Sequence, residues 1–161
     1  MIADRELVEQ LDGLRGSRTL IVGIGNTLKG DDGAGPLVCE RLKRLKISAD
    51  LIDAGTVPEN YIRPIVKKAP KNLLVVDAMD FGARAGMVGI FEPEQLHAHA
   101  FSTHALWPGL FVEMIRRDLD VDVRFVGIQP AQTQFGQTVS PPVDEAIQQL
   151  CRVLAEIFPP G

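Results

Sequence analysis

Apolar residues follow two alternating spacings along the chain, and this alternation predicts helices and strands in turn. In segment 4–15 they recur at helical spacing among charged residues, which predicts a short amphipathic helix that ends before Gly16. Segment Thr19–Ile24 is a continuous apolar, partly β-branched run, typical of a strand buried on both faces of a parallel sheet. From Pro36 the helical spacing returns, with lysine and arginine toward the end, where cations complement the helix dipole.

The same alternation continues to the end of the chain. Further strands are predicted at 49–54, 72–77, 86–91 and 121–128, and further helices at 58–68, 106–114 and 143–158. Only a short turn-like segment precedes the 86–91 strand, so an antiparallel edge is one position open to it. Alternating strands and helices predict an open, twisted, mostly parallel sheet with helices on both faces. No repeat or linker interrupts the pattern, and we expect a single α/β domain over residues 1–161.

Composition and charge narrow the function classes. The 161 residues are 45% hydrophobic and 24% charged, with a formal net charge of −4 and a pI near 5.4. The chain lacks the basic excess that nucleic-acid binding requires, and it shows neither a signal peptide nor a bilayer-spanning apolar run. We therefore expect a cytoplasmic protein without nucleic-acid or membrane partners. Cys39 and Cys151 lie among apolar helical neighbours, which favours two buried thiols over a disulfide.

A glycine-rich loop, residues 25–35, follows the first strand. It lies at the carboxyl ends of the strands, where open α/β sheets bind ligands. A dinucleotide motif would need glycine at position 28, which is leucine, and a P-loop would need Lys-Ser/Thr where Asp31 and Asp32 stand. Two carboxylates at a helix N-terminus repel phosphate. The loop therefore favours a cation as its ligand.

Acidic residues supply the first candidates for the site. Asp31 or Asp32 alone is equally well explained as a helix cap that accepts a backbone hydrogen bond. Both acids together exceed what one cap requires, so Asp31 is interpreted as the structural acid and Asp32 as the functional one. Asp77 follows an apolar strand and is predicted to emerge at the same sheet edge, whereas Asp80, shortly before Gly82, suits a turn.

The three histidines lie in one polar stretch between predicted elements. His97 and His99 are more simply explained as solvated loop side chains, while His104 directly precedes a predicted helix. Asp32, Asp77 and His104 would form an O, O, N ligand set with open positions, typical of a catalytic zinc or nickel site. The chain has no cysteine at the strand ends and no Gly-x-Ser-x-Gly elbow, so carboxylates or a metal would have to activate water for any hydrolysis.

Six segments, in order along nearly the whole chain, carry a family resemblance: Gly23–Gly35, Asp53–Thr56, Val76–Ala78, Thr103–His104, Gly127–Pro130 and Ser140–Pro142. Together they resemble the hydrogenase maturation endopeptidases, which trim the C-terminal tail of the large subunit of NiFe hydrogenases. The first segment is highly specific. The others are short, and their order and spacing add to the match.

The resemblance implies a five-stranded sheet flanked by helices, with Asp32, Asp77 and His104 as the metal-binding and catalytic positions. It also implies that nickel already inserted in the large-subunit precursor is the recognition signal, so that the metal arrives with the substrate. Other divalent cations such as zinc are alternatives in vitro. Segment 1–17 departs from the family, whose members typically begin at the first strand. This N-terminal helix is a candidate surface for partner contacts, and so are residues 80–103, which adjoin the proposed site.

Two mechanisms and two other functions are left open by the sequence. In one mechanism Asp32, Asp77 and His104 hold the nickel of the substrate beside the scissile peptide. In the other, the metal serves recognition only, and the two aspartates share a proton while one activates water. The main alternative function is a non-proteolytic nickel-binding chaperone for hydrogenase assembly. A nucleotide-binding protein is disfavoured by Leu28 and by the paired acids.

Overall fold

A mostly parallel sheet forms the centre of the described part of the chain. The computed structural model describes residues 4–97, 101–102 and 108–161. The strands are β1 (Thr19–Ile24), β2 (Asp50–Gly55), β3 (Asn72–Asp80), β4 (Val88–Phe91), β5 (Phe101–Ser102) and β6 (Asp122–Ile128). In the order β2-β1-β3-β6-β4 the first four are parallel and β4 is antiparallel, while β5 pairs with the end of β3. The five-stranded, mostly parallel sheet is confirmed, and the predicted 86–91 strand takes the antiparallel edge.

Helices cover both faces of this sheet. They are α1 (Asp4–Leu11), α2 (Ala34–Leu45), α3 (Ile62–Lys68), α4 (Pro108–Arg116) and α5 (Pro141–Ile157). One hydrophobic cluster joins α1, α2 and α5 to the first face, and a second joins α3 and α4 to the other. Along β3, Leu74 and Val76 belong to the first cluster, and Leu73 and Val75 to the second. This alternation explains why the parallel strands read as continuous apolar runs.

Several helices and strands begin or end a few residues away from their predicted bounds. The predicted 4–15 helix is α-helical only to Leu11 and ends in a 3-10 turn, Asp12–Leu14. The helix predicted from Pro36 begins two residues earlier, at Ala34, and the one near Pro58 opens as a 3-10 turn before α3. The largest correction concerns β3, which was predicted to end at Asp77 and continues to Asp80.

The N-terminal helix packs against the last helix. Leu7 and Leu11 of α1 are fully buried in the cluster that α5 shares, each burial stabilising the fold by roughly 1.5–3 kcal/mol. At the surface, Asp4 forms an ion pair with Arg152, at 3.4 Å. Hydrogen bonds from Gln149 and Arg152 hold the pKa of Asp4 below its usual range. Segment 4–14 is therefore an integral part of this core.

Both cysteines are free and buried, as the sequence predicts. Burial raises the pKa of the Cys39 thiol to about 12, and that of Cys151 to about 12 as well. Neither thiol is therefore a nucleophile at neutral pH. No helix in the described ranges combines the length and the apolar character needed to cross a bilayer.

Candidate active site

The turn between β1 and α2 brings two acids to the carboxyl edge of the sheet. Residues Gly30–Gly33 form a 3-10 turn that directly precedes α2. The chain passes close to the strand ends here, since a Cβ atom on Gly35 would lie 2.3 Å from the Ile24 carbonyl oxygen and 2.5 Å from that of Val76. Only glycine permits this approach, which seats the start of α2 against the ends of β1 and β3.

Asp32 is buried in this turn and 3% exposed. Its carboxylate accepts a hydrogen bond from the Asn26 backbone N–H at 3.1 Å, and its own N–H donates to the Lys29 carbonyl at 3.1 Å. A Cβ atom on Gly25, where φ is 156°, would lie 2.0 Å from the Asp32 carbonyl oxygen. The glycines of the loop thus let the backbone fold tightly around this carboxylate.

Asp31 has a different set of contacts. Fully buried, it accepts hydrogen bonds from the backbone N–H groups of Ala131, Gln132 and Ser140 at 2.7–3.0 Å, and from the Ser140 hydroxyl at 2.8 Å. These contacts fasten loop 131–140 to the turn. The alternative that either acid caps α2 is wrong, because the N-cap residue of that helix is Gly33. Asp31 therefore has the structural role that the sequence predicts for it.

Asp77 lies inside β3 and is 2% exposed. The strand continues past this residue because β6 and β5 both pair with it there. On the opposite side β1 pairs with β3 only as far as Val76, so Asp77 is the first residue of β3 beyond that pairing. The Gly30–Gly33 turn contacts β3. Asp32 and Asp77 thus both lie at the carboxyl edge of the β1–β3 pair.

Comparison with known proteins identifies the family. The sequence profile described as "Hydrogenase maturation protease" matches residues 36–157. The "Hydrogenase 3 maturation protease" of Escherichia coli K12 is 33% identical over 131 residues, which cover 80% of this chain and 83% of the relative. The chain belongs to the hydrogenase maturation protease family.

Solved structures of family members have the same fold. The NiFe hydrogenase maturation protease HycI of Thermococcus kodakarensis KOD1 superposes with a TM-score of 0.83 at 34% identity, covering 92% of this chain and 97% of that one. The solution structure of the endopeptidase HycI of Escherichia coli gives 0.76 at 30% identity, covering 84% and 87%. This protease is therefore a peptidase built on the fold that its sequence predicts.

His104, the histidine predicted for the site, lies outside the residues that the structure describes, and so does His99. Only the backbone of His97 is described, at the end of the 3-10 turn Pro93–His97. Within 4–97, 101–102 and 108–161, no group of three or more His, Cys, Asp or Glu side chains is placed to hold a metal ion. The role of His104 beside Asp32 and Asp77 stays a prediction.

Gln129 is a further buried polar residue at this edge of the sheet, which lies in the segment Gly127–Pro130 but is not among the predicted site residues. It follows β6 directly, is 7% exposed, and accepts hydrogen bonds from the backbone N–H groups of Phe81 and Ala83 at 2.9 and 3.1 Å. Its side-chain amide donates to Asp80 at 3.1 Å. The side chain thus fastens the turn that follows the Asp77 strand. Its sequence signals are its place in the segment Gly127–Pro130 and its position as a polar residue directly after an apolar strand.

Asp80 takes the turn role that the sequence predicts for it. Its carboxylate accepts the Gly82 N–H at 3.1 Å, closing a turn at the end of β3. The bond from Gln129, and after it the bond from Gly82, hold the pKa of Asp80 below its usual range. Asp80 is exposed to solvent whereas Asp77 is buried, so Asp77 stays the stronger candidate for chemistry.

Proposed function

We propose that this protease removes the C-terminal extension of a NiFe hydrogenase large-subunit precursor after nickel insertion, using Asp32, Asp77 and His104 to recognise the nickel. One observation carries the proposal: two buried carboxylates, Asp32 and Asp77, lie at the carboxyl edge of the β1–β3 pair. Family membership supplies the peptide-bond chemistry. The relative from Escherichia coli K12 and the protease from Thermococcus kodakarensis are described as maturation proteases of hydrogenases.

Carboxylate oxygens suit a divalent ion of the nickel or zinc class when an imidazole completes the set. Asp32 and Asp77 are held on rigid elements, one in a tight 3-10 turn and one within a central strand. Such carboxylates need little reorganisation to meet a metal carried by the substrate. Nickel is here part of the precursor, and the protease supplies the groups that contact it.

Two ways of cutting the peptide are consistent with these groups. In the first, Asp32, Asp77 and His104 hold the nickel of the substrate so that the scissile carbonyl is polarised beside it. In the second, the metal only identifies the precursor, and the two aspartates share one proton. The ionised member of the pair then removes a proton from water as the water attacks the peptide carbonyl. The protonated member gives its proton to the amine nitrogen that leaves as the peptide C–N bond breaks.

The test is the intact mass of the precursor after incubation with the protease. We expect loss of a C-terminal peptide from nickel-loaded precursor. Asp32→Asn, which keeps the shape and removes the charge, should slow this cleavage by about 10²-fold or more, the range for loss of a general base. Asp50→Asn is the matched control, since Asp50 is an exposed carboxylate at the start of β2, at the opposite edge of the sheet.

The outcomes separate the alternatives. Cleavage of nickel-free precursor would rule out the first mechanism and leave the carboxylate pair. An unchanged mass for every nickel-loaded precursor encoded in the same genome would overturn the proteolytic function and favour a nickel-binding chaperone with the same ligands. Equal loss of activity in Asp32→Asn and Asp50→Asn would contradict the special role of Asp32.

A further inference from the structure

Two apolar side chains next to the Asp32 turn are exposed to solvent. Phe135 is 71% exposed and Leu28 is 67% exposed, which makes them the most exposed large hydrophobic residues in the described ranges. Leu28 lies in the loop that leads into the Asp32 turn, and Phe135 in the loop that Asp31 fastens to it. Together with Lys29, which lies beside them, we call these residues the rim.

The rim is connected to Asp32 through a single residue. The Asn26 backbone N–H donates to the Asp32 carboxylate at 3.1 Å, and the Asn26 side-chain oxygen accepts the N–H of Leu28 at 2.9 Å. Leu28 in turn accepts a hydrogen bond at its carbonyl from the N–H of Gly136, next to Phe135, at 3.0 Å. A ligand bound on the rim would therefore lie within a few residues of the proposed catalytic carboxylate.

The two loops are also fastened to each other away from the apolar side chains. The Gly30 N–H donates to the Gln137 carbonyl at 3.1 Å, and the Asp31 N–H donates to the Gln132 carbonyl at 2.8 Å. The Gln137 side chain accepts the Gln134 N–H at 2.8 Å. Exposed apolar groups on a fixed, hydrogen-bonded backbone form a preorganised contact surface, since little loop entropy is lost when a partner binds.

Charge indicates what such a partner carries. The Lys29 ammonium lies 5.3 Å from the centre of the Phe135 ring. In loops 25–33 and 129–140 the other charged residues are Asp31 and Asp32, and both are buried. The rim thus presents one cation beside apolar surface, on a chain whose net charge is −4. It complements a peptide that bears a carboxylate next to a large apolar side chain.

The size of the rim favours a peptide over a second copy of the chain. Two apolar side chains provide on the order of a few hundred Å², whereas a stable dimer interface buries roughly 800 Å² on each partner. An extended peptide segment needs only such a local contact to be positioned for cleavage.

We infer that the rim binds the C-terminal segment of the large-subunit precursor, placing an apolar side chain against Leu28 and Phe135 and a carboxylate against Lys29. This inference rests on the proposed function. It assigns these three residues to substrate binding and not to chemistry. Their loss should therefore weaken binding of the precursor in the ground state and leave the chemical step nearly unchanged.

The test is steady-state cleavage of nickel-loaded precursor by a Leu28→Ser/Phe135→Ser double variant and by Lys29→Glu. We expect each to raise KM about 10-fold or more, with kcat within about twofold of the parent protein. Leu45→Ser is the matched control, because Leu45 is 43% exposed at the C-terminal end of α2, away from the Asp32 turn. It should leave both constants unchanged.

The outcomes distinguish this inference from the proposed function. If the parent protein cleaves no precursor, both are overturned. If it cleaves and the rim variants keep the parent KM, or if Leu45→Ser raises KM equally, only the rim assignment is overturned. Sedimentation velocity adds a check, since a dimer of the parent protein that the double variant abolishes would assign the rim to a second copy instead.

Discussion

At the carboxyl edge of the sheet, two loops are each held in place by hydrogen bonds to one buried polar side chain. The two side chains differ in charge. Asp31 fastens loop 131–140 beside Asp32 with a carboxylate that accepts four hydrogen bonds. Gln129 fastens the turn after the Asp77 strand with a neutral amide that accepts two and donates one.

The difference predicts unequal strength on the two sides of the candidate site. Hydrogen bonds to an ionised acceptor are about twice as strong as neutral ones, and a buried carboxylate has more to lose when its donors are removed. The Asp32 side, which also carries the rim, should therefore be the more rigid. The turn after β3 should open first when the protein is destabilised.

Replacing Asp31 with alanine tests the hydrogen bonds of the buried carboxylate and should have the largest effect on stability. The change removes all four accepted hydrogen bonds and leaves the Ser140 N–H and hydroxyl buried without them. We expect a loss of about 3–5 kcal/mol in the free energy of unfolding, measured by chemical denaturation.

Asp144→Ala is the control for removing a carboxylate from the surface. Asp144 lies 3.8 Å from Arg41 with a side chain that is 48% exposed, so its removal should cost less than about 1 kcal/mol. Equal losses for the two variants would contradict the claim that Asp31 holds the loop through buried bonds.

Gln129→Leu tests the hydrogen bonds of the neutral amide. We expect it to lower stability less than Asp31→Ala does. Leucine keeps much of the volume but leaves the Phe81 and Ala83 N–H groups without their acceptor. We expect a loss of about 1–3 kcal/mol in the free energy of unfolding. Hydrogen exchange should show faster opening of residues 81–83 than of loop 131–140.

Gln148→Leu serves as the matched control, because Gln148 makes one exposed hydrogen bond, to Asp144. It should change the free energy of unfolding by less than about 0.5 kcal/mol. If Gln129→Leu lowers the free energy of unfolding as much as Asp31→Ala does, the claim that the carboxylate holds its loop more strongly than the amide holds its turn is wrong.

Much of the fold is predictable from the sequence because burial in a parallel sheet leaves a local signature. The apolar run Thr19–Ile24 coincides with β1, and the helical spacing near the C-terminus coincides with α5. The end of β3 is different. Met79 and Asp80 extend this strand by pairing with β5, a contact between distant segments that no local pattern records. The apolar pattern predicts a strand end at Asp77, and tertiary pairing extends the strand by three residues to Asp80, where the predicted turn begins.

The candidate site was predictable only in part for a related reason. Asp31 and Asp32 are conspicuous because two acids replace the groups that a phosphate loop requires, and because one helix cap would need only one of them. Gln129 lies in the segment Gly127–Pro130 of the family resemblance, but no charge or spacing argument gives it a role, because its contacts are to the N–H groups of a turn 46 and 48 residues away. Hydrogen bonds to backbone groups of distant loops depend on the fold and cannot be read from composition or spacing.

The smallest expected effect is on the pKa of Asp80, because the hydrogen bond from Gln129 lowers this pKa. The bond from Gln129 is the main cause of the lowered pKa of Asp80, with a further contribution from the Gly82 N–H. In Gln129→Leu we expect this pKa to rise toward the ordinary value of 3.8, and NMR titration of the carboxyl group measures it.

The sign of the linkage follows from the lowered pKa. Because the folded state binds the Asp80 proton less tightly than the unfolded state, the contribution of Asp80 to stability is complete above the ordinary pKa and is lost as pH falls through the lowered one. The stability difference between the parent protein and Gln129→Leu should therefore narrow in acid. An unchanged Asp80 pKa in the variant would mean that the Gly82 turn alone sets it, and that Gln129 holds the loop only through Phe81 and Ala83.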